Sequence, residues 1–177
     1  MKQNNLVWID LEMTGLDPEK HVILEIATII TDNNLEIIAE GPELVIHQPE
    51  QALQNMDQWV QDQHTKSGLL DAVRKSKVTI QDAEQQTLAV IKEHCLQDES
   101  VLCGNSVWMD KFFLKKYMPA ITDYLHYRVI DVSTIKELAA RWYPEQPEYE
   151  KKETHRALAD IRESIDELKA YRKKLFI

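Results

Sequence analysis

Asp10 and Glu12 stand two residues apart in a stretch that reads as a β-strand, Leu6-Val7-Trp8-Ile9-Asp10-Leu11-Glu12. Residues two apart in a strand share a face, so both carboxylates project together while Ile9 and Leu11 turn to the other side. Adjacent carboxylates repel. Partly buried, they need a cation between them or a proton on one of them. A solvent-facing strand edge would carry the same pattern, and Asp-x-Glu alone is a weak signal. The turn that follows directly, Thr14-Gly15-Leu16-Asp17-Pro18, strengthens it, because α/β sheets place ligands where strands end.

His155 and Asp160 form a second candidate pair, in His155-Arg156-Ala157-Leu158-Ala159-Asp160. Five residues along a helix is about 140° of rotation and about 7.5 Å of rise, so two mid-helix side chains at that spacing diverge. They converge if His155 lies in the loop or first turn and Asp160 inside the helix. Asp160 could equally be a surface acid paired with Arg156 four residues earlier. A third acid comes from Asp110, after Gly104-Asn105-Ser106-Val107-Trp108-Met109, where an Asp also suits an ordinary helix start. Asp131 competes for that role, although Ser133 and Thr134 behind it make a local turn its simpler use. Four carboxylates on one site would be a hard, oxygen-rich cluster, favouring Mg²⁺ or Mn²⁺ over zinc. Two such ions can clamp a phosphate between attacking and leaving oxygens, and a neutral imidazole nearby can take the proton of the attacking water. That is equipment for phosphodiester hydrolysis.

These groups need elements to carry them. The apolar, β-branched run 22–30 reads as a second strand, interrupted only by Glu25, for which a structural role is the simpler expectation. Asp32-Asn33-Asn34 marks a hairpin turn, with a returning strand over 35–39 and a short strand at 44–46. Short helices are expected over 50–61 and 65–73. Thr79-x-x-Asp82 resembles a capping box ahead of a long helix. Residues 101–103 and 128–130 read as short strands. A helix from about Asp110 to Tyr117 should stop at Pro119, and Thr134-x-x-Glu137 suggests a cap for a helix running to Trp142. Leu158, Ile161, Ile165, Leu168 and Leu175 stripe a last helix. Strands first, then strands alternating with helices, imply an α/β layered domain with a mixed sheet.

Composition sets outer bounds. The chain has 177 residues, 44% apolar and 29% charged, enough for one domain with a proper core. No apolar run approaches the roughly 18 residues of a membrane span, and the first residues lack a signal-peptide apolar region, so the expected location is cytoplasmic. Two cysteines, Cys95 and Cys103, make neither a disulfide framework nor a Cys-x-x-Cys pair. Thirty acidic residues against 21 basic ones, a net charge of −9, argue against a long nucleic-acid track but not against a short nucleotide in a pocket. With four glycines and no Gly-x-Gly-x-x-Gly or Gly-x-x-x-x-Gly-Lys, dinucleotide-fold and P-loop readings have no support.

Taken in order, Asp10-Leu11-Glu12-Met13-Thr14-Gly15-Leu16, Gly104-Asn105-Ser106 ahead of Asp110, and His155-Arg156-Ala157-Leu158-Ala159-Asp160 resemble the DEDDh 3′-to-5′ exonuclease family. Trp59-Val60 with His64, and Arg128 with Asp131-Val132-Ser133-Thr134, extend the likeness over essentially all of residues 1–177, as one exonuclease domain. The resemblance implies a ribonuclease-H-like exonuclease fold, a mixed central sheet flanked by helices. It implies two divalent cations, Mg²⁺ or Mn²⁺, held by Asp10, Glu12, Asp110 and Asp160, with His155 as general base. It further implies a homodimer acting on very short RNAs, especially 5′-phosphorylated dinucleotides, and yielding mononucleotides. Leu16 would wedge between two bases, and Trp59 and His64 would line the pocket at the scissile end. Ser106, Arg128 and Ser133 would bind the 5′ phosphate, joined by the partner subunit's Tyr127. One departure is the bulk of Trp108-Met109 just ahead of Asp110. Two other functions compete: trimming of longer strands, which the missing basic groove disfavours, and an inactive end-binding relative, which the full set of acids disfavours.

Overall fold

The computed structural model describes residues 3–145, 149 and 156–176. Its centre is a mixed sheet in the order β3-β2-β1-β5-β6, with β4 paired to the far end of β2. Strand β1 (Leu6–Met13) and β2 (Ile23–Thr31) form a long antiparallel hairpin. Strand β3 (Ile37–Glu40) continues it as an exposed edge, and β4 is Leu44–Val45. On the other side β5 (Leu102–Gly104) and β6 (Val129–Asp131) run parallel to β1, each reached through helices.

Both faces of the sheet are covered, which is why β2 is buried along its whole length. The period-two alternation of β1 sorts its side chains between the two layers. Val7, Ile9 and Leu11 enter one core with Ile91 of α4 (Ile80–His94), Phe113 and Leu114 of α5 (Val107–Tyr117) and Ile121 of α6 (Pro119–Tyr124). Leu6 and Trp8 enter the other, with Ala139 of α7 (Val132–Trp142) and Ile161, Ile165 and Leu168 of α8 (Ala157–Leu175). Continuing the second set, Asp10 and Glu12 fall on the face covered by α8. Cys95 and Cys103 are free and buried.

The expected α/β class holds, and so does the capping box at Thr79 and Asp82. Four local expectations change. The 50–75 region makes three helices, α1 (Glu50–Leu53), α2 (Gln58–Lys66) and α3 (Leu69–Lys75), because Gly68, at φ 75°, breaks the chain after residue 66 rather than before it. Helix α5 begins at Val107, one turn earlier than Asp110. Pro119 opens α6 as well as ending α5, since its fixed φ suits a first helical position. Asp131, not Thr134, caps α7 by accepting the Ser133 N–H.

The β1–β2 connection is closed at its base. A register irregularity falls between Glu12 and Met13. Thr14 then donates its N–H to Val22 O and accepts the Val22 N–H on its hydroxyl, each at 3.0 Å. Inside this loop the His21 ring lies against Gly15, where a Cβ would sit 2.6 Å from ring atoms, and its Nδ1 accepts the Asp17 N–H at 3.0 Å. Leu16 is left standing at the tip, 66% exposed.

Candidate active site

The sheet gathers the four acids from three distant parts of the chain. Asp10 and Glu12 project from β1. Asp110 and Asp160 each lie in the first turn of a helix, α5 and α8, where the positive end of the peptide dipoles favours an anion. Asp10, Glu12 and Asp160 bring one carboxylate oxygen each within 4.8 Å of one another. Asp110 stands outside that trio, 6% exposed, with Oδ1 accepting the backbone N–H of Leu11 at 3.0 Å. It is thereby tied to the peptide between the two strand acids. The surface-acid reading of Asp160 gives way, because the Arg156 guanidinium is taken by Glu25 at 2.8 Å and Glu43 at 3.4 Å.

Concentrating these anions has an electrostatic cost. Burial first, then the charges of Asp160, Glu25 and Asp110, push the Glu12 carboxyl up to about 8, with Arg156 opposing. Burial also raises Asp110, to about 8, against the pull of its hydrogen bond from Leu11. Carboxyls that retain protons near neutrality for lack of positive charge form an all-oxygen site that a hard divalent cation fits. His155 lies outside the described residues.

Beside the acids runs a groove of about 640 Å³, lined by Glu12, Leu16, Asp57, Trp59, Val60 and His64 among others. Trp59 is 65% exposed on α2, so it is not core. His64 is buried, its Nε2 at 2.9 Å from Met13 O and its Nδ1 at 3.8 Å from Glu12. The carbonyl partner assigns the proton to Nε2 and ties α2 to the end of β1.

The remaining candidates cluster on the far side of α5. Ser106 caps that helix in the left-handed region, φ 49°. Its N–H points at Asp131 Oδ1, 2.9 Å, and at Ser133 Oγ, 3.3 Å. Ser133 in turn donates its hydroxyl to the same Asp131 oxygen at 2.6 Å. Asp131 thus organises the two serines rather than joining the acidic trio. Tyr127 is 71% exposed and the Arg128 guanidinium lies 5.4 Å over its ring. Trp108 and Phe112 are also exposed and meet edge to face, so Trp108 points outward, while Met109 is partly buried against the core.

Two sets of supporting residues escape a reading of motifs alone. Glu25 and Arg156 are joined across the sheet. Asn105 donates to Ser164 Oγ at 2.8 Å and to Glu167 at 3.0 Å, tying the loop before α5 to α8. The signal for the first was a lone acid in an apolar strand; the second had only polar residues at helical spacing, which carry no partner information.

Residues 7–168 match the family model described as exonuclease, RNase_T. The chain is 53% identical over 176 residues to the oligoribonuclease of Dichelobacter nodosus, covering 99% of this chain and 97% of that one. It is 56% identical over 173 residues to that of Vibrio cholerae, covering 97% and 96%. A solved E. coli ExoI–ssDNA complex superimposes with a TM-score of 0.75 at 16% identity, over 98% of this chain but 41% of that one, a likeness of fold. The class is therefore that of the DEDDh exonucleases, phosphodiester hydrolases built on a ribonuclease-H-like sheet. The chain belongs to the RNase T exonuclease family and, within it, to the oligoribonucleases.

Proposed function

We propose that this protein hydrolyses very short RNAs from the 3′ end, above all dinucleotides carrying a 5′ phosphate, and releases mononucleotides. The observation that carries the reading is the trio Asp10, Glu12 and Asp160, with Asp110 hydrogen-bonded to the strand between the first two. Its support for short RNA comes from near full-length similarity to oligoribonucleases. Two divalent cations, Mg²⁺ or Mn²⁺, would be held by Asp10, Glu12, Asp110 and Asp160. When bound, they supply a more acidic water and neutralise charge building on the phosphate.

The chain's own groups do the rest. His155 is the proposed general base, accepting the proton of the attacking water. Leu16, at the tip of its latched loop, wedges between the two bases, and Trp59 offers an aromatic face across the groove. His64 shapes the groove wall next to Glu12. Ser106, Ser133 and Arg128 receive the 5′ phosphate, the arginine providing the charge-assisted contact. A cap of that kind reads an end, so length rather than sequence is selected. Homodimerisation would add the partner subunit's Tyr127 to the cap.

The deciding measurement is the rate of cleavage of 5′-phosphorylated RNAs from two to ten residues, with Mn²⁺ and with EDTA. Dinucleotides should be cleaved fastest and EDTA should abolish the reaction. Equal rates at all lengths would leave only a general exonuclease. Mixing Tyr127→Ala and Asp10→Ala subunits tests the dimer, because each mixed pair regains one complete site.

A further inference from the structure

Glu25 sits at 0% exposure near the start of β2, directly opposite Glu12 in the hairpin register. An ionised carboxylate there is tolerable only if it is paired and hydrogen-bonded. Among the described residues, its side-chain partners come from one place, the start of α8. Arg156 reaches it with Nε at 3.2 Å from both oxygens and Nη2 at 2.8 Å from Oε1. The N–H of Ala157, first residue of α8, donates to Oε2 at 3.1 Å. That N–H has no acceptor within its own helix, and the residue ahead of it, Arg156, has no oxygen in its side chain to serve as a cap. A strand residue therefore does the capping, across 132 positions of sequence.

Asp160 lies three residues beyond Ala157 on the same helix, about 4.5 Å along its axis. We propose that Glu25 and Arg156 are positioning residues for the acidic cluster. Their forked ion pair, with the Ala157 hydrogen bond, sets the start of α8 against the hairpin and so fixes where the Asp160 carboxylate stands relative to Asp10 and Glu12. The inference rests on the metal-holding reading of those three acids. The pair also sits within the cluster's field: Glu25 adds to the charge that holds a proton on Glu12, and Arg156 opposes it. A purely packing role would instead affect only stability, and a purely electrostatic role would depend on net charge and not on the fork.

Mn²⁺ binding to the full chain by titration calorimetry, with kcat, KM and the thermal midpoint, separates these. Glu25→Gln should weaken Mn²⁺ binding about tenfold, the lower end of what loss of a ligand-orienting partner costs. Its kcat should fall at fixed Mn²⁺ and partly recover as Mn²⁺ is raised, with KM for a dinucleotide unchanged. Arg156→Lys keeps the charge but cannot fork, and should show the same loss of Mn²⁺ affinity. Wild-type affinity in Arg156→Lys overturns the proposal, whatever Glu25→Gln does, because only charge or packing would then matter. Should Glu25→Gln fail to fold, Arg156→Lys decides alone. A wild-type chain that binds no Mn²⁺ would overturn the metal reading itself, and this inference with it.

Discussion

The acidic cluster and the serine-arginine end of the molecule are built on opposite terms. Around Glu12 and Asp110 the carboxyls are buried, their positions fixed by a central strand and the first turns of two helices. Burial first, and neighbouring acids after it, hold protons on both up to about 8. At the other end, Arg128 and Tyr127 are exposed, and Asp131 already accepts the Ser106 backbone N–H and the Ser133 hydroxyl. A strained, desolvated group has much to gain from a cation and loses much if a neighbour is removed. An exposed, self-satisfied group gains only the surplus of one hydrogen bond over another. Chemistry should therefore fail steeply on mutation, and recognition gradually.

That contrast can be broken at several levels. Asp160→Ala should cost the most, about a thousandfold in kcat, the scale on which loss of one group stabilising transition-state charge registers. A loss of less than tenfold would mean the cluster is not the reaction centre. His155→Ala should lower kcat by about a hundredfold, the lower end of the usual range for a general base, and leave dinucleotide binding to an EDTA-treated protein intact. Arg128→Ala should weaken binding of 5′-phosphorylated dinucleotides by about 10–100-fold, in line with the ~1.5–3 kcal/mol of a charged hydrogen bond. Unphosphorylated dinucleotides should bind it as they bind the wild type; an equal loss would show that Arg128 does not read the phosphate.

The smallest effect is in stability against pH. Glu12 and Asp110 hold their protons more tightly folded than unfolded. Between the ordinary carboxyl range and about 8, the folded state therefore binds more protons, and stability must fall as pH rises. The thermal midpoint of EDTA-treated protein should drop steadily between pH 5.5 and pH 8. Mn²⁺ should raise the midpoint, and by more at pH 8, where the acids are ready to ligate. Stabilisation by Mn²⁺ that ignored pH would contradict the raised carboxyls.

Much of this was legible in the residues. Alternation along 6–12 put Asp10 and Glu12 on one face without any knowledge of the partner strand, and the Leu158-to-Leu175 stripe announced α8. What stayed hidden was long-range pairing. Asp110 was visible as a helix-start acid, but its hydrogen bond to Leu11 spans 99 positions. Glu25 looked like a structural residue in an apolar strand. It is structural, and the hairpin register also seats it opposite Glu12, a fact that needs the strand pairing to be seen. Thr134 was read as the cap of α7 and Asp131 as a local turn residue, whereas Asp131 is the residue that caps the helix.

The latch at Thr14 and Val22 has a further consequence. It isolates residues 15–21 from the strand that carries the acids, as a knot isolates the end of a rope. The tip can be lengthened, shortened or exchanged without tugging on Asp10 or Glu12. Leu16 is thus a replaceable part, and exchanging it should leave the placement of Asp10 and Glu12 unchanged.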